Sequence, residues 1–217
     1  MTGIILLAAG ESKRFGAPKQ LAELGGKSLL RRAVETALES HLGPVNVVLG
    51  AVDQPCREAL AGRPVNIVFN PAWREGMAGS IVAGLRPWVG GKLDGVIILL
   101  ADQPGVTASH LRELQAAALS HAIVASRYAG QLGVPAWFSV TKFDDLLRME
   151  GGQGAKALIA REPEVAWVDL PAAGLDVDTP EDLVRISTQL RELQSSTMDF
   201  PAKTPPNLGG IPTLASA

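Results

Sequence analysis

Three cations and a serine crowd one loop near the start of the chain. In LLAAGESKRFGAPKQ, residues 6–20, Gly10 and Gly16 frame Ser12, Lys13 and Arg14, and Lys19 follows Pro18. An ordinary turn needs neither that length nor that charge. Glycines let successive backbone N–H groups turn inward as an anion-binding nest, and Ser12 adds a hydroxyl donor. Arg14 offers a planar fork suited to phosphate oxygens, and Lys19 a compact charge. A triphosphate uses both kinds of cation.

Two further groups of acids complete the picture. Asp102 directly follows the apolar run LDGVIILL, in the sequence Ala101-Asp102-Gln103-Pro104. Asp is a hard oxygen ligand for Mg2+, which takes one or two carboxylates plus substrate phosphates; as a turn former, Asp102 would need no metal. Asp176-Val177-Asp178-Thr179-Pro180 alternates in a way that turns both carboxylates of an extended segment to one side, as metal ligands. Thr179 or Asp178 is placed to cap the helix that Pro180 opens, and for Asp178 capping and ligation could coexist.

Other glycine-rich stretches fail on context. GGKS at 25–28 would need its first P-loop glycine at Leu21, and no strand precedes it. Gly152-Gln-Gly154-Ala-Lys-Ala157 fits a dinucleotide fingerprint but follows a helical segment. His41, His110 and His121 are scattered and read as surface residues. No Ser-His-Asp set and no zinc-spaced Cys/His cluster is present.

The elements that must position these residues alternate. GIILLAAG, residues 44–50, 65–69, 93–100 and 122–126 read as strands. Residues 28–40, 55–61, 77–85, about 107–120, around 141–149 and about 180–194 read as helices. The rhythm loosens after Gly130, through GQLGVPAWF. Buried strands alternating with helices predict an α/β fold, a Rossmann-like three-layer α/β/α arrangement with a mainly parallel twisted sheet. The first loop and Asp102 both follow strands, so both fall at the sheet edge where such folds bind ligands. We expect one domain over 1–194, nucleotide-binding to about 120 and acceptor-facing beyond, then a Pro/Gly/Ser-rich tail over 195–217.

Composition sets the limits. The chain has 217 residues, 47% of them apolar, and a net charge of −2. That excludes global disorder and offers no general attraction to nucleic acid or an anionic membrane. No apolar run reaches membrane-spanning length and no signal peptide is evident, so a cytoplasmic location is expected. The single Cys56 reads as a small buried apolar residue.

On these residues the chain resembles the MobA-like nucleotidyltransferase family and, within it, the molybdenum cofactor cytidylyltransferases. The family's opening signature LAAGxSxRxGxxK is met by Leu7, Ala8, Ala9, Gly10, Ser12, Arg14, Gly16 and Lys19. Matches continue at Asn70-Pro-x-Trp73-x-x-Gly76-Met77-x-x-Ser80, at Ala101-Asp102-Gln103-Pro104 and at Asp176-Val177-Asp178-Thr179-Pro180.

The resemblance implies a nucleotidyltransferase fold of the glycosyltransferase-A-like type, with the triphosphate over the first loop. Arg14 and Lys19 would lie on the phosphates, Gly76 and Ser80 near the base, and Asp102 with Asp176 or Asp178 on Mg2+. Ala8-Ala9 goes with cytidylyl transfer in the family, so CTP is the expected nucleotide. The acceptor would be a phosphorylated small molecule, Mo-molybdopterin, with an apo-molybdoenzyme as a candidate partner. Two positions depart from the pattern: Gly152 replaces a carboxylate and Val134 a histidine, both on the acceptor side. The alternatives are a cytidylyltransferase for another phosphorylated small molecule and a non-catalytic cofactor-binding chaperone. An NAD-dependent oxidoreductase fits less well, because the first loop is too cationic and lacks G-x-G-x-x-G spacing.

Overall fold

The computed structural model describes residues 1–170 and 176–198. Strand β1 (Thr2–Ala8) is buried along its length and serves two layers at once. Ile4, Leu6 and Ala8 enter one core, while Ile5, Leu7 and Ala9 enter the other, the period-two alternation of a strand covered on both faces. A small hairpin, β2 (Glu23–Leu24) and β3 (Lys27–Ser28), then leads into α1 (Leu29–Glu39), whose N-cap Ser28 accepts from Arg31 N–H.

Next come β4 (Val45–Leu49), α2 (Asp53–Ala59), β5 (Asn66–Phe69), α3 (Met77–Leu85), β6 (Gly95–Leu100), α4 (Ala108–Ala116) and β7 (Ile123–Tyr128). The chain finishes with β8 (Gln131–Ser139), α5 (Phe143–Leu147), α6 (Ala155–Arg161), β9 (Val165–Asp169) and α7 (Pro180–Met198). Seven strands form one sheet in the order β5-β4-β1-β6-β8-β7-β9. Only β8 runs against its neighbours; the remaining strand pairs are parallel. Helices α1, α2 and α4 pack on the Ile4–Leu6 face, and α3, α5 and α6 on the other. The three-layer, mainly parallel expectation holds.

From β1 the chain steps outward to β4 and β5, then returns to lay β6 on the other side of β1. The carboxyl ends of β1 and β6 therefore flank the topological switch point. The 9–18 loop and Asp102 leave from those two ends. A third apolar cluster joins Leu24, Leu29, Val177 and Ile186, with Phe15 packed against it. It ties the segment before α7 to the first loop.

Four sequence expectations change. After Gly130, the stretch QLGVPAWF lies in a nine-residue strand, β8, rather than a loosened segment. Its Gly133 and Pro135 hide the pattern, and the ladder admits them by slipping between Ala125 and Ser126. Strand β9, at the sheet edge and only partly buried, carried no readable alternation. His110 is not a surface residue: it is buried on α4, where its Nε2 lies 2.7 Å from Ser126 Oγ. Ser126 spends its one proton on the Pro135 carbonyl, so Nε2 carries the hydrogen and donates. The last helix runs to Met198, beyond the expected end at 194; residues 199–217 of the expected tail lie outside the described residues.

Candidate active site

Gln20, which no motif flagged, organises the first loop from within. This buried amide donates to the carbonyls of Ala8 (3.2 Å) and Gly10 (2.6 Å) and accepts from Ser12 Oγ at 3.1 Å. Ser12 takes the left-handed conformation at φ 59, and Gly16 at φ 73. The turn thus rests on a serine stabilised through its side chain and on one glycine. Gly10 stays outside that region.

Lys19 leaves the loop and enters a nest of acceptors. Its Nζ donates to Asp102 Oδ2 at 2.5 Å, to the Val177 carbonyl at 3.1 Å and to Asp178 Oδ1 at 3.2 Å. An ammonium has three hydrogens, and these contacts use all of them. Burial works against the Lys19 charge, yet Asp102 and Asp178 more than offset it and hold its pKa above the ordinary lysine value. Arg14, largely exposed, reaches Asp178 Oδ2 at 3.0 Å. Cations and acids expected to meet different parts of a metal–triphosphate pair meet each other here.

Thr179, not Asp178, caps α7. Thr179 Oγ1 accepts from Asp182 N–H at 3.3 Å, and Asp182 Oδ2 accepts from Thr179 N–H at 3.0 Å. This reciprocal box closes the helix start and leaves the Asp178 carboxylate to the two cations. Asp176 goes elsewhere, accepting from Gln103 Nε2 at 3.1 Å. Between them Val177 is buried, and its N–H donates to the Asp102 carbonyl at 3.0 Å.

These groups line a cleft of about 370 Å³. Leu7, Ala8, Ala9, Gly10, Ser12, Arg14, Lys19, Gly76, Ser80, Asp102 and Asp178 all border it; Asp176 does not. Trp73 and Met77, from the matched motif, and Leu29 and Leu100, which no motif flagged, add an apolar wall. Arg74 stacks on the Trp73 ring, 4.3 Å from its centre. Ser80 is buried, its Oγ accepting from Asn70 Nδ2 at 3.0 Å. Gly76 sits at φ 124, and a Cβ there would lie 2.2 Å from the Gly151 carbonyl oxygen. The 151–154 glycines therefore seat the start of α3 rather than a dinucleotide.

Among the described residues no three His, Cys, Asp or Glu side chains gather as a metal cluster. Asp102 nonetheless carries the mark of a missing partner. Its Oδ1 is buried and accepts no hydrogen bond, a costly state for a carboxylate oxygen. A hard divalent cation or a bound water is what such an atom takes.

Fold and cleft together define a nucleotidyltransferase: a parallel sheet with a cationic loop and an acid at its switch point. The chain belongs to the MobA-like NTP transferase family, whose domain matches residues 4–165. It is 32% identical to the purine catabolism protein PucB of Bacillus subtilis, over 83% of this chain and 94% of that protein. It is 30% identical to the nicotine blue oxidoreductase of Paenarthrobacter nicotinovorans, over 86% and 96%. The crystal structure of an Rv0371c homologue from Mycobacterium sp. strain JC1 superposes with a TM-score of 0.78 at 32% identity, covering 88% and 98%. Rv0371c of Mycobacterium tuberculosis, solved with manganese, superposes at 0.74 with 28% identity over 86% and 97%. Among the described residues no helix is long and apolar enough to cross a membrane.

Proposed function

We propose that the chain is a divalent-metal-dependent cytidylyltransferase that moves CMP from CTP to the phosphate of Mo-molybdopterin and releases pyrophosphate. One observation carries the reading: Lys19, Arg14, Asp102 and Asp178 converge at the mouth of β1 and β6, with Asp102 Oδ1 left unpartnered.

The acceptor phosphate is already anionic near neutral pH, so no protein base is required. Its oxygen forms a bond to the α-phosphorus as the bond to the bridging oxygen breaks, and the electron pair leaves with pyrophosphate. Lys19 and Arg14 stand where negative charge must be neutralised, and the loop amides hold the chain of phosphates in line. Asp102 and Asp178 would hold Mg2+, with Asp176 in reserve through Gln103; bound there, the ion would supply Lewis-acid charge neutralisation. The manganese in the Rv0371c structure supports a divalent ion, and Mg2+ is the proposed one.

For the base, the Ala9 methyl is buried beside Trp73 in the same apolar cluster and borders the cleft. It narrows the space next to the strand end, which favours a pyrimidine. The departures at Val134 and Gly152 favour a second reading, transfer to another phosphorylated small molecule such as a sugar or alcohol phosphate. A Cβ at Gly152 would meet nothing within 4 Å, so the space for a carboxylate exists and the group does not. A cytoplasmic location and hand-off to an apo-molybdoenzyme belong to the leading reading.

The test is pyrophosphate release with each of the four NTPs, Mg2+ and Mo-molybdopterin. Turnover confined to CTP with that acceptor is the expected result. CTP binding without turnover on it would transfer the assignment to another acceptor.

A further inference from the structure

Lys19 and Gln20 are neighbours in one short 3-10 turn, Lys19–Leu21, yet serve opposite sides of the first loop. Lys19 reaches the acids of the cleft, whereas Gln20, 3% exposed, lies beneath the loop. No step of the proposed reaction uses Gln20. Both ends of its amide are nonetheless paired, and in one orientation only. Nε2 spends its two hydrogens on Ala8 O and Gly10 O. A flipped amide would set its oxygen against two carbonyl oxygens, which donate nothing. Oε1 takes the one hydrogen of Ser12 Oγ, so the uncharged donors left to the loop are backbone N–H groups.

The consequence for the backbone is geometric. Among the described residues the cis peptide is Val134–Pro135, so the Ala8–Ala9 and Gly10–Glu11 units are trans. In a planar trans peptide the N–H points opposite to the C=O of the same unit. With the Ala8 and Gly10 carbonyls drawn down to the buried Gln20, the Ala9 and Glu11 N–H groups point away from it. Among the described residues neither donates to another residue; the next loop N–H to do so is that of Phe15, on Ser12 O at 3.0 Å. Ala9, Gly10 and Ser12 border the nucleotide cleft.

We propose that Gln20 is a positioning residue for phosphate binding. It holds two carbonyls on the buried side of the loop and thereby turns the Ala9 and Glu11 N–H groups toward the triphosphate. That role rests on the nucleotide reading of the cleft, though on neither its base nor its acceptor. A carbonyl turned into the cleft repels phosphate, and an N–H attracts it. Gln20 thus sets the sign of the field that two peptide planes present. An apolar side chain of the same volume could support the loop, but it would not fix which edge of each plane meets the ligand.

The test follows the full-length, isotope-labelled chain as tripolyphosphate is added with Mg2+, a probe that has neither base nor acceptor. The Ala9 and Glu11 amide protons should move downfield and saturate together with binding. Gln20→Met, which keeps the bulk and loses both hydrogens, should bind tripolyphosphate at least about tenfold more weakly. Its Ala9 and Glu11 protons should lose the downfield response, a change that general loosening of the fold does not single out. Saturable binding to the parent chain with both amides silent would overturn the positioning role and leave the nucleotide cleft standing. Unchanged affinity in a folded Gln20→Met would overturn it as well. Tripolyphosphate that fails to saturate would instead fell the nucleotide reading, and this inference with it. Should Gln20→Met not fold, the response of the two amides in the parent chain decides.

Discussion

Lys19 Nζ and Asp102 Oδ2 lie 2.5 Å apart although 83 residues separate them. Loops leaving two neighbouring parallel strands meet there, and Asp178 joins from a third segment at 3.2 Å. In this state Lys19, Arg14 and Asp178 are paired within the site, and Asp102 is paired through Oδ2 alone. In the proposed reaction these partners would be exchanged, phosphates for the cations and a metal ion for the acids.

Removing either half should therefore stop turnover without unfolding the protein. Lys19→Ala and Asp102→Ala should each lower the rate of pyrophosphate release by about 100-fold or more, the scale seen for a lost charge-stabilising group. Circular dichroism and the thermal midpoint should show the fold retained. Near-normal rates in either variant would refute the assigned roles.

Partner exchange makes metal and nucleotide mutually dependent. On the proposed reading, a metal held by Asp102 and Asp178 would free Lys19 and Arg14 for phosphate, and the nucleotide would free the acids in turn. Calorimetric CTP affinity should fall at least about tenfold when Mg2+ is replaced by EDTA. Equal affinities would mean that the pairs do not exchange.

Gly76 should tolerate no side chain. Its φ of 124 and the 2.2 Å approach of the Gly151 oxygen leave no room for a methyl. Gly76→Ala should cost about 1–3 kcal/mol in urea denaturation, the range for forced backbone strain. The KM for the nucleotide should rise, because Met77 and Ser80 move with the start of α3. A variant of unchanged stability would show that the 151–154 loop yields freely.

The buried His110 sets a pH dependence of stability. Burial lowers its pKa below the ordinary histidine value of about 6.5, against a raising effect of Glu113. The unfolded chain thus binds more protons than the folded one once pH drops below about 6.5, and stability falls as pH falls toward the folded-state value. One such group contributes a slope of at most about 1.4 kcal/mol per pH unit. Urea midpoints compared at pH 7.5 and 5.5 should show a drop in the parent chain that is smaller in His110→Gln. Identical drops would acquit the histidine.

What the sequence disclosed and what it withheld divide along physical lines. The first loop, Asp102 and the parallel half of the sheet were legible, because apolar runs ending in glycine or aspartate are local patterns. Thr179's capture of the helix cap was not, since choosing between Thr179 and Asp178 depends on where Lys19 lies. Gln20 escaped for a related reason: an amide beside a lysine looks like surface until its three loop contacts are seen. His110 misled because α4 exposes one face and buries another, and its short amphipathic pattern does not show where a single polar residue falls. Strand β8 misled because an interior proline normally argues against a central strand.

The closing segment has a consequence in time. By the end of β9 the nascent chain has every strand of the sheet, and the family domain, 4–165, has already been made. Yet Val177, which plugs the cluster beneath the first loop, and Asp178, which holds two cations, come only afterwards. During synthesis the scaffold can assemble while Lys19 and Arg14 lack their Asp178 anchor, so the proposed active site would be complete only once α7 docks. A stop codon or protease cut between Leu170 and Asp176 would leave a sheet with all its strands and an incomplete active site.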